Sequence, residues 1–223
     1  MNLEFVCKEC KKRQRLDVGE VTILHSEKED KYIHYGREVR CKFCRSTHME
    51  PSHLELTASL LNKVAFPEDA EILLSNEVVG IENDKFMPFT EVNPYFERRI
   101  VEEPENGELR LWYANFLRKI NEYEKAIAEY EESSRLDSTL IASLINLTDI
   151  FYHRSAQYKE KGAVIKAKEY FKRAVDLYNS GNATFATILD KKTVPLWIED
   201  RSEILYPRNE KKNQKNEERK NKR

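Results

Sequence analysis

Glycine and proline are scarce in this chain, with six and seven among 223 residues. So few breakers argue against a loop-rich or collagen-like protein and suit one rich in helix. Long apolar runs are lacking too. Stretches such as residues 72–74 and 140–142 fall far short of the roughly 20 residues a membrane-spanning helix needs. Residues 1–12 contain no basic-then-apolar leader, so no membrane partner is expected and the expected compartment is the cytoplasm. No Ser/His/Asp set, phosphate-cradling glycine loop or H-E-x-x-H motif is present, which leaves hydrolase and nucleotide-binding readings without support. The chain is not expected to be an enzyme.

Charge is plentiful, at 35% of residues, but nearly balanced at a net of −1. Its distribution is uneven. Residues 1–50 carry a net +2, residues 207–223 a net +5, and the segment between them a net −8. An acidic body between two modestly basic ends is not the footprint of a dedicated nucleic-acid binder, whose basic excess would be larger and gathered on one face.

All four cysteines fall in the first 44 residues, as two C-x-x-C pairs: Cys7 with Cys10, and Cys41 with Cys44. Two residues between thiolates let one tight turn aim both sulfurs at a single ion, and two such turns complete a tetrahedron. The 30 residues between the pairs leave room for a small sheet. Strands are expected over residues 13–16, 21–24, 32–35, 38–41 and 47–49, with a polar loop at 26–31. A domain this small buries too little apolar surface to be stable alone, and metal binding would supply the deficit. The expected cofactor is one structural Zn²⁺ on Cys7, Cys10, Cys41 and Cys44. Iron, a redox disulfide or no metal are the alternatives. Four sulfurs fill the zinc shell, and a catalytic zinc needs an open position. Lys8, Lys11, Lys12, Arg13, Lys42 and Arg45 crowd the pairs and would offset the thiolate charge; contact with phosphate is the other reading. His25, His34, His48 and His53 are read as surface or packing residues.

Residues 1–53 thus resemble the zinc-ribbon (and rubredoxin-like) class of metal knuckles. Glycine often follows the second cysteine of such a knuckle, where the chain needs φ > 0. Lys11 and Arg45 stand there, so at least one turn is expected to be strained or differently shaped.

Residues 54–92 read as a small α/β linker. Leu54, Leu56, Leu60, Leu61 and Val64 suggest a short helix capped by Ser52. Residues 70–74 and 78–81 look extended, and residues 78–81 and 85–89 flank a polar tripeptide as in a hairpin. From residue 93 to 206 the chain reads as all-helical. Asn93-Pro94 should open a helix with apolar Phe96, Ile100 and Val101, and Pro104 should end it.

A repeat follows. Ala126, Tyr130, Ser133 and Leu136 match Ala167, Phe171, Ala174 and Leu177 in spacing, and upstream Tyr113, Ala114 and Leu117 match Leu147, Thr148 and Phe151. Small residues recur where helices must approach closely. Residues 107–179 resemble the tetratricopeptide repeat (TPR), with Asn121-Glu122-Tyr123 at a turn between helices. Ala126 and Ala167 are 41 residues apart, against roughly 34 in that family. The surplus of seven lies between Phe151 and Ala167 and is expected to lengthen the hairpin, the first helix ending near Lys161 and Gly162 making the turn. A capping helix is expected over 183–191, with Trp197, Ile198 and Leu205 folding back over the end. Residues 210–223 hold no apolar residue, and the basic tail from 207 is expected to be disordered.

The expected fold class is therefore α+β: a small β-rich zinc ribbon, an α/β linker and an all-α TPR-like domain of helical hairpins. The resemblance implies a protein–protein interaction module or adaptor with a protein or peptide partner. Nucleic-acid binding through the basic knuckles and tail is the alternative.

Overall fold

The computed structural model describes residues 1–19, 21–25, 31–52, 54–55, 57–58, 72–75, 78–80, 86–185 and 192–207. The fold is α+β. Among the described residues eight strands come first: β1 (Asn2–Cys7), β2 (Arg13–Asp17), β3 (Val21–His25), β4 (Lys31–Tyr35), β5 (Met49–Pro51), β6 (Ile72–Ser75), β7 (Val78–Gly80) and β8 (Phe86–Pro88). Six described helices follow: α1 (Phe89–Glu102), α2 (Gly107–Lys119), α3 (Tyr123–Leu136), α4 (Ile141–Tyr158), α5 (Ala163–Ser180) and α6 (Thr193–Leu205).

The first sheet is antiparallel, in the order β2-β1-β5, with Leu3 opposite Leu16 and Cys7 opposite Met49. Its central strand is one the spacing of turn residues did not suggest. The signal for it is alternation: Leu3, Phe5 and Cys7 are buried, while Asn2, Glu4 and Val6 between them are not. A second sheet, β4-β3-β6, pairs β3 antiparallel to β4 and parallel to β6. The linker thus supplies a strand to the N-terminal region. The hairpin expected near residue 80 forms, with Val79 opposite Met87. Residues 54–55 and 57–58 are helical; the rest of the short helix expected there lies outside the described residues, as do residues 208–223 of the tail and most of the loop at 26–31.

Residues 38–41 are not a strand. Their backbone groups are engaged elsewhere: the Tyr158 hydroxyl donates to the Glu38 carbonyl and accepts from the Arg40 N–H, and the Cys41 N–H donates to the Ser46 carbonyl. No ladder can form with those groups taken. The strand expected at 47–49 is β5, shifted by two residues.

Helix α1 begins at Phe89, so Pro94 sits inside it. So near the N-terminus proline forfeits a single helical hydrogen bond, which the helix tolerates there better than in its middle. Val92 and Phe96 are fully buried on its core face, whereas Val101 is 81% exposed. Helix α2 is capped by Asn106, whose side chain accepts from the Leu109 N–H.

Helices α2 and α3 form one antiparallel pair and α4 and α5 a second. Close approach is made by Ala114, Ala126, Ala167 and Ala174, all without exposed surface. At Gly107 a Cβ would lie 3.0 Å from the Asp137 Cβ and 3.1 Å from the Ser133 carbonyl oxygen. Ser133 Oγ bonds the Gly107 carbonyl at 2.7 Å and Ser143 Oγ at 2.8 Å, tying the first pair to the start of the second.

Five of the surplus seven residues lengthen α4, which has 18 residues against 13 in α2; the turn, 159–162 against 120–122, and the start of α5 take one each. Helix α4 ends at Tyr158 rather than near Lys161, because Lys159 turns left-handed at φ 54°. Gly162, at φ 82°, starts α5 as a turn residue. Residues 183–185 are not helical; Thr184 instead bridges to Leu140, and residues 186–191 lie outside the described residues. The end is capped by α6. Trp197 packs 5.6 Å from the Phe171 ring, and Val194 and Leu205 are buried.

Among the described residues, most buried apolar side chains fall into two clusters. One joins α1 to α6. The other holds Leu3, Phe5, Leu16, Val18, Val21 and Val39, and with them Tyr158 from the end of α4.

Candidate metal centre

Cys7 closes β1 and Cys10 follows in its turn; Cys41 and Cys44 bracket the second turn. Each turn is held by the same pair of backbone bonds. Lys11 N–H donates to the Cys7 carbonyl and Cys7 N–H to the Lys12 carbonyl; Arg45 N–H donates to the Cys41 carbonyl and Cys41 N–H to the Ser46 carbonyl. Both turns leave through the left-handed region, Lys11 at φ 59° and Arg45 at φ 66°. These are the two positions where the sequence lacks the expected glycine. Each costs on the order of 1 kcal/mol against a glycine.

The two turns bring their sulfurs together. All four Sγ atoms lie within 4.8 Å of one another. Cys7 and Cys44 are 3.5 Å apart, as are Cys10 and Cys41. A disulfide would need about 2.05 Å, and the four cysteines are free. Four sulfurs about 2.3 Å from one tetrahedral ion are spaced by about 3.8 Å, so the set fits one zinc. Cys7 and Cys41 are buried, Cys10 is half-buried and Cys44 is exposed.

The electrostatics of the bare cluster point the same way. Burial raises the Cys41 thiol, but the backbone N–H groups of Cys44 and Phe43 and the neighbouring sulfurs outweigh it and pull the pKa down to about 6. The Cys7 thiol is also lowered, first by the backbone N–H of Cys10. At Cys44 the backbone N–H of Ser46 lowers the pKa, but burial and the other three sulfurs together push it up to about 12. Crowded by the other sulfurs, the Cys44 thiol holds its proton. Only a cation among them lets all four ionise.

Five of the six basic residues near the centre, all but Lys11, are engaged by the protein itself. Lys8 lies 3.8 Å from Glu50, Arg13 lies 3.5 Å from Glu4, and Lys12 stands 4.3 Å over the Phe43 ring. Lys42 Nζ donates to the Arg15 carbonyl at 3.1 Å, and Arg45 reaches the Tyr158 carbonyl at 2.5 Å. His48 is exposed and meets Glu9 at 2.9 Å; it is not among the clustered ligand atoms. The side chains of His25, His34 and His53 lie outside the description.

The second turn is also fastened to the helices, through residues the sequence reading passed over. Glu38 is buried and receives Arg154 Nε at 2.7 Å and Nη2 at 3.0 Å. Arg154 further donates to Glu124 at 2.8 Å, and Arg40 joins Glu38 to Glu124. Gln157 accepts from the Asp17 N–H at 3.2 Å. Arg154, Gln157 and Tyr158 lie beyond the part of α4 that matches α2: a shift of 34 residues carries Lys119, the last residue of α2, to position 153. The surplus in the second repeat is thus the segment that docks the sheet. The available clue was the length anomaly between Phe151 and Ala167, together with an arginine on an otherwise apolar stretch.

No protein-family model matches the chain, and no curated protein matches it. No helix among the described residues is long and apolar enough to cross a membrane.

Proposed function

We propose that this protein is a zinc-stabilised interaction module: an N-terminal zinc ribbon, held by Cys7, Cys10, Cys41 and Cys44, fastened to TPR-like helical hairpins that engage a protein or peptide partner. The single observation that carries the metal reading is the convergence of four sulfurs within 4.8 Å. A zinc there neutralises the thiolates and links the two turns, so binding and folding of this small domain become one equilibrium. Four thiolates leave no position for water or substrate, so the metal's role is structural and the protein is read as non-catalytic and cytoplasmic. The adaptor reading is supported by the two stacked helix pairs with their repeated small residues, an architecture that presents extended surfaces to partners. The nucleic-acid reading has less support, since five of the six cations around the centre are engaged by Glu50, Glu4, Phe43, Arg15 and Tyr158.

Elemental analysis of the purified full chain tests the metal reading. The expected result is one zinc per chain, with four thiols becoming titratable on chelation. Iron in its place, or a stoichiometry near zero with paired cysteines, defeats it. Crosslinking of the full chain in cells tests the adaptor reading. Contacts mapping to one face of the hairpins support it, whereas recovery of nucleic acid lost steeply with salt supports the alternative.

A further inference from the structure

The four sulfurs are unequally sheltered. Cys7 and Cys41 have no exposed surface, Cys10 is half-buried and Cys44 is exposed. Cys44 stands between Phe43, itself 56% exposed, and the exposed Arg45, with Lys12 4.3 Å over the Phe43 ring. A thiolate is most open to oxidation where solvent reaches it and its surroundings are electropositive. A second sulfur is within reach, since Cys7 Sγ lies 3.5 Å from Cys44 Sγ across the two turns. Cys41, the other sulfur of the second turn, is buried and accepts from the Phe43 N–H at 3.4 Å.

The turn that carries Cys44 also holds the end of α4. Arg45 bonds the Tyr158 carbonyl at 2.5 Å. On the approach to Cys41, the Arg40 N–H donates to the Tyr158 hydroxyl at 3.1 Å, and Glu38 is paired with Arg154. The exposed sulfur is thus one residue from a docking contact.

We propose that the centre is a peroxide-sensitive switch: Cys44 is the sulfur attacked first, Cys7 is its disulfide partner, and loosening of the end of α4 is the consequence. The inference rests on the zinc reading above, because it takes Cys44 as a metal-bound thiolate. The Cys44 thiolate attacks one oxygen of hydrogen peroxide. The O–O bond breaks, leaving a sulfenic acid on Cys44 and a hydroxide. The Cys7 thiolate then attacks the Cys44 sulfur, the S–O bond breaks, and a second hydroxide leaves. Two protons from solvent turn both hydroxides into water. Each thiolate has lost one electron and the peroxide has gained two. Cys10 and Cys41 alone are too few to close a tetrahedral shell, so the ion is released without a change of charge. Disulfide formation and loss of the ion together shift the second turn, and Arg45 moves with it.

The test uses the full-length chain as purified, its zinc content measured first. Hydrogen peroxide is added stoichiometrically. Thiols are trapped at intervals by isotope-coded alkylation after a denaturing quench and mapped by mass spectrometry, and a chromogenic chelator reads released zinc. Cys44 is expected to lose its free thiol first, a Cys7–Cys44 disulfide to accumulate, and about one zinc to leave per peroxide consumed. Hydrogen exchange at residues 154–158 should rise in step, and a dithiol reductant with added zinc should reverse each change. Zinc retained through excess peroxide, oxidation beginning at Cys7, Cys10 or Cys41, or zinc lost without faster exchange at the end of α4 overturns the inference and leaves the zinc reading standing. A chain purified without zinc defeats that reading, and the switch with it.

Discussion

Arg154, in the last turn of α4, donates from Nε to Glu38 Oε2 at 2.7 Å, and neither side chain retains more than 4% exposure. The residue that receives it stands three positions before Cys41 in the chain. A buried ion pair of this kind adds little when compared with a well-packed apolar pair, but breaking it by removing one partner strands a charge. Arg154→Ala is therefore expected to destabilise the protein by about 3–5 kcal/mol. The double substitution Glu38→Leu with Arg154→Met should recover much of that loss. A denaturant double-mutant cycle measures both, and additive single effects would show that the pair is not coupled.

Metal removal should be felt in the helices. Both tryptophans, Trp112 and Trp197, belong to the helical cluster, so their fluorescence reports that part of the chain. Cys41 lies next to Arg40, and Arg45 follows Cys44; both arginines hold the end of α4. Chelation, or Cys41→Ser, is expected to lower the tryptophan-monitored melting midpoint while leaving most far-UV helical signal at low temperature. An unchanged midpoint would mean that the helices are indifferent to the metal centre.

The two left-handed residues should answer differently to glycine. Lys11→Gly removes strain worth about 1 kcal/mol and adds a similar amount of unfolded-chain entropy. Its net effect on the melting midpoint should be small and, if anything, favourable. Arg45→Gly relieves the same strain but also loses the 2.5 Å bond to the Tyr158 carbonyl, and it is expected to be destabilising. The sign of the difference between the two variants is the measurement.

His153 sets a pH dependence. Its folded pKa lies near 4, pushed down by burial first and by Arg37 and Arg154, with the Glu38 backbone and carboxylate opposing. The unfolded imidazole titrates near 6.5. Between those values the unfolded chain binds a proton that the folded chain does not, so stability is full above about pH 6.5 and falls as pH drops towards 4, by up to about 1.4 kcal/mol per pH unit. His153→Gln should flatten this portion of the stability profile relative to the parent, both measured with metal present. Parallel profiles would contradict the assignment.

Much of the architecture is legible from residue patterns. The paired C-x-x-C spacing announces a four-sulfur cluster, since each turn's geometry is set within five residues. The matched Ala126/Ala167 and Tyr130/Phe171 positions announce paired helices, because close packing demands small and large side chains at fixed steps. Even the missing glycines after Cys10 and Cys44 identify two positive-φ residues. The misreadings have local causes. Residues 38–41 carry strand-forming side chains but donate and accept towards Tyr158, a partner more than a hundred positions away. Asn93-Pro94 resembles a helix start, yet packing of Val92 and Phe96 extends α1 backwards to Phe89. Residues 183–185 are drawn into a bridge with Leu140.

What the amino-acid order determined by itself was short-range: the turns that aim sulfurs, the periodicity of the helices and the surplus length in the second repeat. Tertiary structure alone decided what that surplus is for. Burying Glu38 is tolerable only where Arg154 meets it, and no local pattern encodes the distance between two charges 116 residues apart in the chain. The same docking sets Arg37 and Glu38 against His153 on α4, residues from elements that only folding brings together.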